Sequence, residues 1–421
     1  MAAVAEADLL GDTIMTAERL RPWIAHGAFS LILFLITAAT YSSLGVVLPA
    51  MVKDLGWSWS QAGLGFTLMG AATGASSWFP AALIRKFGLR TTLAAGSMVM
   101  VAGLAGFAHA ESIAAYLIGA VFCGAGFQMM ALIPGTHALG ILFERKAMAF
   151  GLYFTIGSLG SVVGPLMAEH LAGAGGENWR SYWLIQAALA AVAGLAGVLA
   201  VGRVRQQVPP PAPTVESFAA PAAKADFTVA QAIRTPQFYI LLAAYFTHLL
   251  AVSVAASISV AHLTEKGVTA ATAGLLLSLE GLITTLARLG GGLIADKVST
   301  KLLLVVGQAA LAIGCVALGY GHGFAAQMLY AFGIGLGFGL TVLAVTLLLL
   351  EYFGPRNNLE IFALTCLVGA VSAVGSLVAG VVRDHLGGFA PALYGMGMLI
   401  AVVAVACALM RPPAVSLKPN G

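Results

Sequence analysis

The stretch QAGLGFTLMGAATGASSWFPAALIRKFGLR at residues 61–90 returns, much altered, as TAGLLLSLEGLITTLARLGGGLIADKVSTK at residues 272–301. At a constant offset of 211, Ala62 falls on Ala273, Gly63 on Gly274, Leu64 on Leu275, Gly70 on Gly281, Thr73 on Thr284 and Arg90 on Lys301. The same offset lays GAGF (124–127) on GLGF (335–338), and an offset of 212 lays Phe150 on Phe362, Leu152 on Leu364 and Gly157 on Gly369. Small residues recur by chance in apolar helices, but a register kept through three separate pairs of segments marks a duplicated unit.

Both copies are made of apolar runs. The chain has 421 residues, 60% hydrophobic and 9% charged, and a mean hydropathy of +0.94. That composition excludes a soluble globular domain and fits a multispanning membrane protein. Twelve runs are long enough to cross the hydrocarbon layer as helices, at about 27–51, 61–84, 91–110, 113–137, 147–170, 181–202, 238–262, 271–294, 301–320, 324–350, 360–382 and 390–410. They are apolar on every side, whereas barrel strands would alternate, so the expected class is an all-α membrane protein.

Residues 203–237 interrupt the pattern with RVRQQVPPPAPTVESFAAPAAKADFTVAQAIRTPQ, dividing the spans six and six. The expected organisation is a terminal segment 1–26, a six-helix bundle 27–202, a linker 203–237 with a short interfacial helix, a second bundle 238–410 and a tail 411–421. Of the 21 Lys and Arg, sixteen fall on the segments that share a side with the N-terminus and four (Lys53, Arg180, Lys266, Arg383) on the other side. This asymmetry predicts cytoplasmic termini in a plasma or inner membrane, and it reports orientation in the bilayer; no nucleic-acid partner is implied. The four cysteines, Cys123, Cys315, Cys366 and Cys407, sit in the spans without metal-ligand or disulfide spacing and read as packing residues. Neither a metal nor a cofactor is expected.

The remaining basic residue, Arg288, lies inside a span together with Glu280. A charge at the centre of a spanning helix costs about 2.5–3.5 kcal/mol on the insertion scale, so the pair opposes insertion by about 5–7 kcal/mol if both are ionised. Charges that expensive face a cavity or a partner. At 100° per residue the two stand about 80° apart on the helical wheel and about 12 Å apart along the axis, with Thr284 between them. They therefore share a broad face without being close enough for an intimate ion pair, and both are expected to face one chamber. Arginine stays cationic and forks two hydrogen bonds to a carboxylate, while a glutamate can carry a proton. His248, in YFTHLLAVSVAAS, is a second proton candidate, because histidine titrates nearest to neutral pH; a packed neutral ring is the plainer reading. Tyr41, Gln128 and Tyr153 offer neutral hydrogen-bonding groups at similar depth, for substrate or for a neighbouring helix.

Two bundles related by repetition around a central site is the plan of a rocking transporter, and the chain resembles the major facilitator superfamily over nearly its full length. The superfamily pattern G-x-x-x-D-[RK]-x-G-x-[RK] stands in the second half as Gly292, Asp296, Lys297, Ser299 and Lys301, with Ser where Gly is usual. In the first half the matching stretch AALIRKFGLR (81–90) has Arg85 at the acidic position. The resemblance implies a cytoplasmic gate drawn from Asp296, Arg85, Lys86, Arg90 and Lys301. Within the superfamily, FERKAMAFGL (143–152), Gly157 with Ser158, IRTPQF (233–238), and Ala287-Arg288 followed by GLIA (292–295) resemble the monocarboxylate and oxalate/formate branch. By that resemblance Arg288 engages the substrate carboxylate, and the acidic residue of the animal members falls on Thr284. Their basic residue in span one, and the second basic residue of dicarboxylate exchangers in span eleven, have no counterpart here, which disfavours oxalate.

The expectation is a proton-coupled carrier of a small organic monocarboxylate, acting as a monomer with the anion, the proton and the bilayer as its only partners. The alternatives are a proton/drug antiporter, suggested by GSVVGP (160–165), and a non-transporting sensor or scaffold. Arg288 argues against an exporter of cations, and no added domain supports a sensor. Glycine-rich GIGLGFG (333–339) lies inside a span, so it reads as close helix packing and not as a nucleotide loop. No constellation of nucleophile, base or metal ligands suggests an enzyme.

Overall fold

The computed structural model describes residues 22–143, 146–173, 176–201, 227–295, 297–354 and 357–413. Every regular element among them is helical. Eleven helices are long and apolar enough to cross a membrane: α1 (Pro22–Leu55), α3 (Trp78–Ala108), α4 (Ile113–Leu139), α5 (Gly151–Ala172, extending back to Lys146), α6 (Trp179–Ala200), α7 (Pro236–Glu265), α8 (Ala270–Ile294), α9 (Thr300–Tyr320), α10 (Gly323–Phe353), α11 (Leu364–Leu386) and α12 (Ala390–Leu409). The twelfth crossing begins with α2 (Trp59–Ala75), only 17 residues long, and continues after a bend at Ser76 into the start of α3.

The turn between the second and third crossings is Gly88, inside α3, with φ 83° and ψ 165°. A side chain is strained in that region, which glycine enters freely. Packing against α4 shows the reversal. Along α2, Ala62 and then Thr73 meet Tyr116 and then Gly124, so α2 runs parallel to α4. Along α3, Gly96, Gly103 and Gly106 meet Met129, Cys123 and Gly119, so it runs antiparallel. The expected twelve crossings are present, in two six-helix bundles.

One buried core gathers α1 to α6 and two more gather α7 to α12. Glycines set the close helix contacts: a Cβ at Gly333 would stand 2.7 Å from the Gly314 Cα, so α9 and α10 touch backbone to backbone. GIGLGFG therefore acts as a packing surface, as expected. Before α7, a one-turn helix at Val229–Ala232 has a capping box between Thr228 and Gln231. It is held to the second bundle by the Phe227 amide donating to the Phe353 carbonyl at 2.9 Å.

The bundles meet through α1 with α7, α2 with α11 and α5 with α8. These contacts lie toward the face opposite the termini. Gly63 approaches the Ser376 carbonyl and Gly380 that of Trp59, while the Thr67 hydroxyl donates to the Ala373 carbonyl at 2.7 Å. At the rim, Asp384 of α11 accepts the Trp59 and Ser60 amides at 3.1 and 2.8 Å, so one bundle caps the first turn of a helix in the other. Trp59 adds an edge-on contact with Phe389, ring centroids 5.0 Å apart.

Toward the other face the bundles part. On α8, Gly274, Gly281 and Gly292 lie on one side; Gly281 packs on Ser161 of α5, but nothing stands within 4 Å of a Cβ at Gly292. Along α2, a Cβ at Gly70 would stand 3.0 Å from the Ala373 Cβ, whereas Gly74 has open space. The result is a central chamber open on the face that carries the termini.

A carboxylate on a helix N-terminus contributes about 1 kcal/mol, a factor of about five in an equilibrium. Asp384→Ala should therefore raise the labelling rate of a cysteine placed at Thr67 by a membrane-impermeant maleimide about fivefold; an unchanged rate would show that Asp384 does not hold this face shut.

Candidate functional site

The exposed face of α8 is a row of leucines, Leu275, Leu282, Leu286, Leu289 and Leu293. Their spacing puts them within about 40° of one direction, which is the side offered to acyl chains. Arg288 lies about 140° from the middle of that row, so its exposure is to the chamber and not to lipid. Glu280 is about 140° away in the opposite sense, toward α10.

Around Arg288 the neighbours come from α7. Tyr245 and His248 both lie within range of its charge. Their rings are stacked at 28° with centroids 6.0 Å apart. Phe338 of α10 meets His248 edge-on at 5.4 Å, and Phe362 tilts against Tyr245 at 6.3 Å. His248 is 3% exposed and its Nδ1 has no hydrogen-bond partner. Cys366, which borders Tyr245, is the exposed cysteine of the four; the others are buried. Thr284 stands half-buried between the two charged residues, its hydroxyl donating to the Glu280 carbonyl at 2.9 Å. The structure thus joins Arg288, His248 and Thr284, and adds Tyr245, which sequence reading missed although it precedes His248 by three residues and so shares its face.

Glu280 departs from expectation. It is 5% exposed and sits inside the second bundle, away from the chamber. A Cβ at Gly335 would stand 2.7 Å from the Glu280 carbonyl oxygen, so α10 lies directly against α8 at Glu280. The 80° between them on the helical wheel is enough to put Glu280 and Arg288 on different sides of the helix. Beside the Glu280 carboxyl are Tyr330 of α10 and, next along, Ser259 of α7.

The first bundle contributes neutral groups. Tyr41 shares a hydrogen bond of 2.7 Å with Thr73, and its ring meets Phe127 edge-on at 6.0 Å. Gln128 is buried with its Oε1 unpartnered. Both residues stand in π-helical turns, Ala38–Ser42 of α1 and Phe127–Leu132 of α4, a distortion that recurs at functional sites. Tyr153 is different: its hydroxyl donates to the Ala131 carbonyl at 2.9 Å and its ring fills the space over Gly135, so it is a packing residue of this bundle. Gly160 and Gly164 of the GSVVGP stretch lie against the Phe34 and Ala38 backbone, which gives that stretch a packing role on α1 as well.

Of the gate residues, Asp296 lies outside the described residues. Arg85 and Lys86 are exposed, with the Lys86 ammonium 5.2 Å from the Phe87 ring. Arg90 donates to the Val198 carbonyl at 3.1 Å, and Lys301 is half-buried. Among the described residues the ion pairs are Arg180 with Asp54 and Arg383 with Glu265, each within one bundle and at the closed face. An apolar groove of about 760 Å³ over Ile313, Val316, Tyr320, Leu329 and Met398 opens on the lipid side and contains none of the polar candidates.

The fold and this site can be set beside known proteins. The sequence profile described as Major Facilitator Superfamily matches residues 30–365 and again 241–421. No curated protein matches the chain by sequence. Among solved structures, the nucleoside transporter NupG has a TM-score of 0.73 at 14% identity, covering 92% of this chain and 98% of its own. A peptide transporter of the POT type, solved with sulfate, has a TM-score of 0.72 at 14% identity over 91% of this chain and 93% of its own. A POT family transporter solved with 5-aminolevulinic acid has 0.69 at 12% identity, over 91% and 95%. At these identities the likeness is one of fold, and together with the profile, which spans most of the chain, it shows that the chain belongs to the Major Facilitator Superfamily.

Proposed function

We propose that this membrane transporter moves a small organic monocarboxylate by alternating access, coupled to the movement of a proton. The observation that carries the reading is Arg288: a guanidinium on the chamber side of α8, opposite the leucine row, with no carboxylate paired to it among the described residues. A cation held in a chamber walled by Tyr245, His248 and Thr284 attracts an anion, and its fork matches a single carboxylate. The lack of a second intramembrane Lys or Arg favours one carboxylate per substrate over two. Tyr41 and Gln128, on the facing bundle, supply neutral hydrogen bonds when the bundles close on the substrate.

With both termini in the cytoplasm of a plasma or inner membrane, the chamber faces inward, and Asp384 with Trp59 closes the outside. Asp296 with Arg85, Lys86, Arg90 and Lys301 then forms the gate that closes the inner face in the other half of the cycle. The proton is carried by Glu280 or His248, and the chain works as a monomer.

Uptake of labelled short-chain monocarboxylates into proteoliposomes, with and without an inward proton gradient, tests this. Arg288→Gln should cut uptake at least about tenfold, in line with the loss of one charge-assisted fork. Arg288→Lys, which keeps the charge without the fork, should recover part of it; parental transport by Arg288→Gln would refute the anion role. Glu280→Gln should lose the response to the gradient while keeping exchange of anion for anion, whereas a full response would move the proton to His248.

A further inference from the structure

We infer that Tyr330 and Ser259 position the proton of Glu280 in a closed pocket inside the second bundle, separate from the chamber that holds Arg288. This deepens the proton-coupled reading and rests on it.

Three helices bring one polar group each to the same place: Ser259 from α7, Glu280 from α8 and Tyr330 from α10. They are 1%, 5% and 0% exposed. None of Ser259 Oγ, Glu280 Oε2 and Tyr330 Oη completes a hydrogen bond of good geometry, yet the Tyr330 hydroxyl lies within reach of both of the others. A buried hydroxyl or carboxyl left without a partner costs about 1–3 kcal/mol, and the groups these three can pair with in this spot are one another, through Tyr330. Cys315 of α9 is a further neighbour, its thiol only a weak donor and acceptor.

Among the described residues no cation reaches the pocket. Arg288 is two turns along α8 and on the chamber side. His262, one turn beyond Ser259 on α7, faces the Gly319 carbonyl at 3.2 Å and the Phe389 ring, and its titratable neighbours are Lys266 and His322. On the α5 side, α8 presents Gly281 to the neutral Ser161. A bare carboxylate in such a place has no countercharge, so its charge and the closure of the pocket are linked. A protonated carboxyl has one hydrogen to give and two lone-pair oxygens; Tyr330 and Ser259 each both give and accept. Together they make a set that can hold the acid when closed and solvate the carboxylate when water enters.

Position along the bundle supports the same division. Glu280 lies about 15 Å from the loop end of α8 and Arg288 about 27 Å, at a 1.5 Å rise per residue. The pocket is therefore in the half of the molecule that is shut here, and the chamber in the half that is open. Proton and anion meet water on different sides of the same helix.

The test uses the full chain in proteoliposomes and measures anion exchange against pH together with the anion concentration at half-saturation. Tyr330→Phe and Ser259→Ala should each move the pH midpoint by about one unit, the tenfold change expected for one hydrogen bond to a charged group, and leave half-saturation within about twofold. Ser259→Thr, which keeps the hydroxyl, should restore the parental midpoint. If the midpoint stays put in both Tyr330→Phe and Ser259→Ala while Glu280→Gln abolishes the gradient response, the positioning role fails and proton coupling through Glu280 stands. If Arg288→Gln also transports normally, the reading beneath it fails separately. A midpoint shift matched by an equal shift in half-saturation would place the pocket inside the anion site and overturn the separation.

Discussion

An ionisable side chain must not meet acyl chains, and in this molecule α8 carries two. The helix answers with a leucine row on one side and charges turned about 140° to either hand of it. Much of the second bundle follows from that. α10 has to present glycine where Glu280 and Thr284 pass, because any Cβ at Gly335 or Gly339 would strike the α8 backbone. α5 has to leave α8 before Arg288, or the guanidinium would be sealed without an aqueous path. α7 supplies groups to both sides, Ser259 at one depth and Tyr245 with His248 at another.

The architecture was legible in the sequence because hydropathy and repetition are carried by many residues at once. Twelve runs, a polar divider and a constant offset all point to two bundles, and a few altered positions do not blur that signal. The fusion of the second and third crossings was legible only in part: the GLR that follows Phe87 marks a break, but the positive φ at Gly88 and the continuity of helix through it come from packing on α4. The short first piece of the second crossing is likewise set by the bend at Ser76, whose hydroxyl donates back to the Ala72 carbonyl at 2.6 Å.

The site was less legible, for a definite reason. A wheel gives the angle between Glu280 and Arg288 but not which neighbour fills each direction, and here the boundary between chamber and interior runs through that angle. Partners such as Tyr330 and Asp384 come from helices far away in sequence, and a tyrosine in an apolar span looks the same whether or not a carboxylate lies beside it. Tyr153 shows the converse, a polar group at a plausible depth whose single hydrogen bond is spent on a backbone carbonyl of its own bundle. The repeat sharpens the contrast: Met69 stands where the second copy has Glu280, and Ser77 where it has Arg288, while the π-helical turns belong to the first copy.

The contact of Gly335 and Gly339 with α8 has a mechanical consequence. Backbones in direct contact have no side-chain cushion between them, so neither helix can slide or roll without carrying the other. The pair behaves as a stiff beam with the Glu280 pocket close to its middle and the Arg288 chamber toward its open end. A tilt of the pair moves the Arg288 end further than the Glu280 pocket, as the long arm of a lever moves further than a point near its pivot, and no relay of side chains is required to link the two.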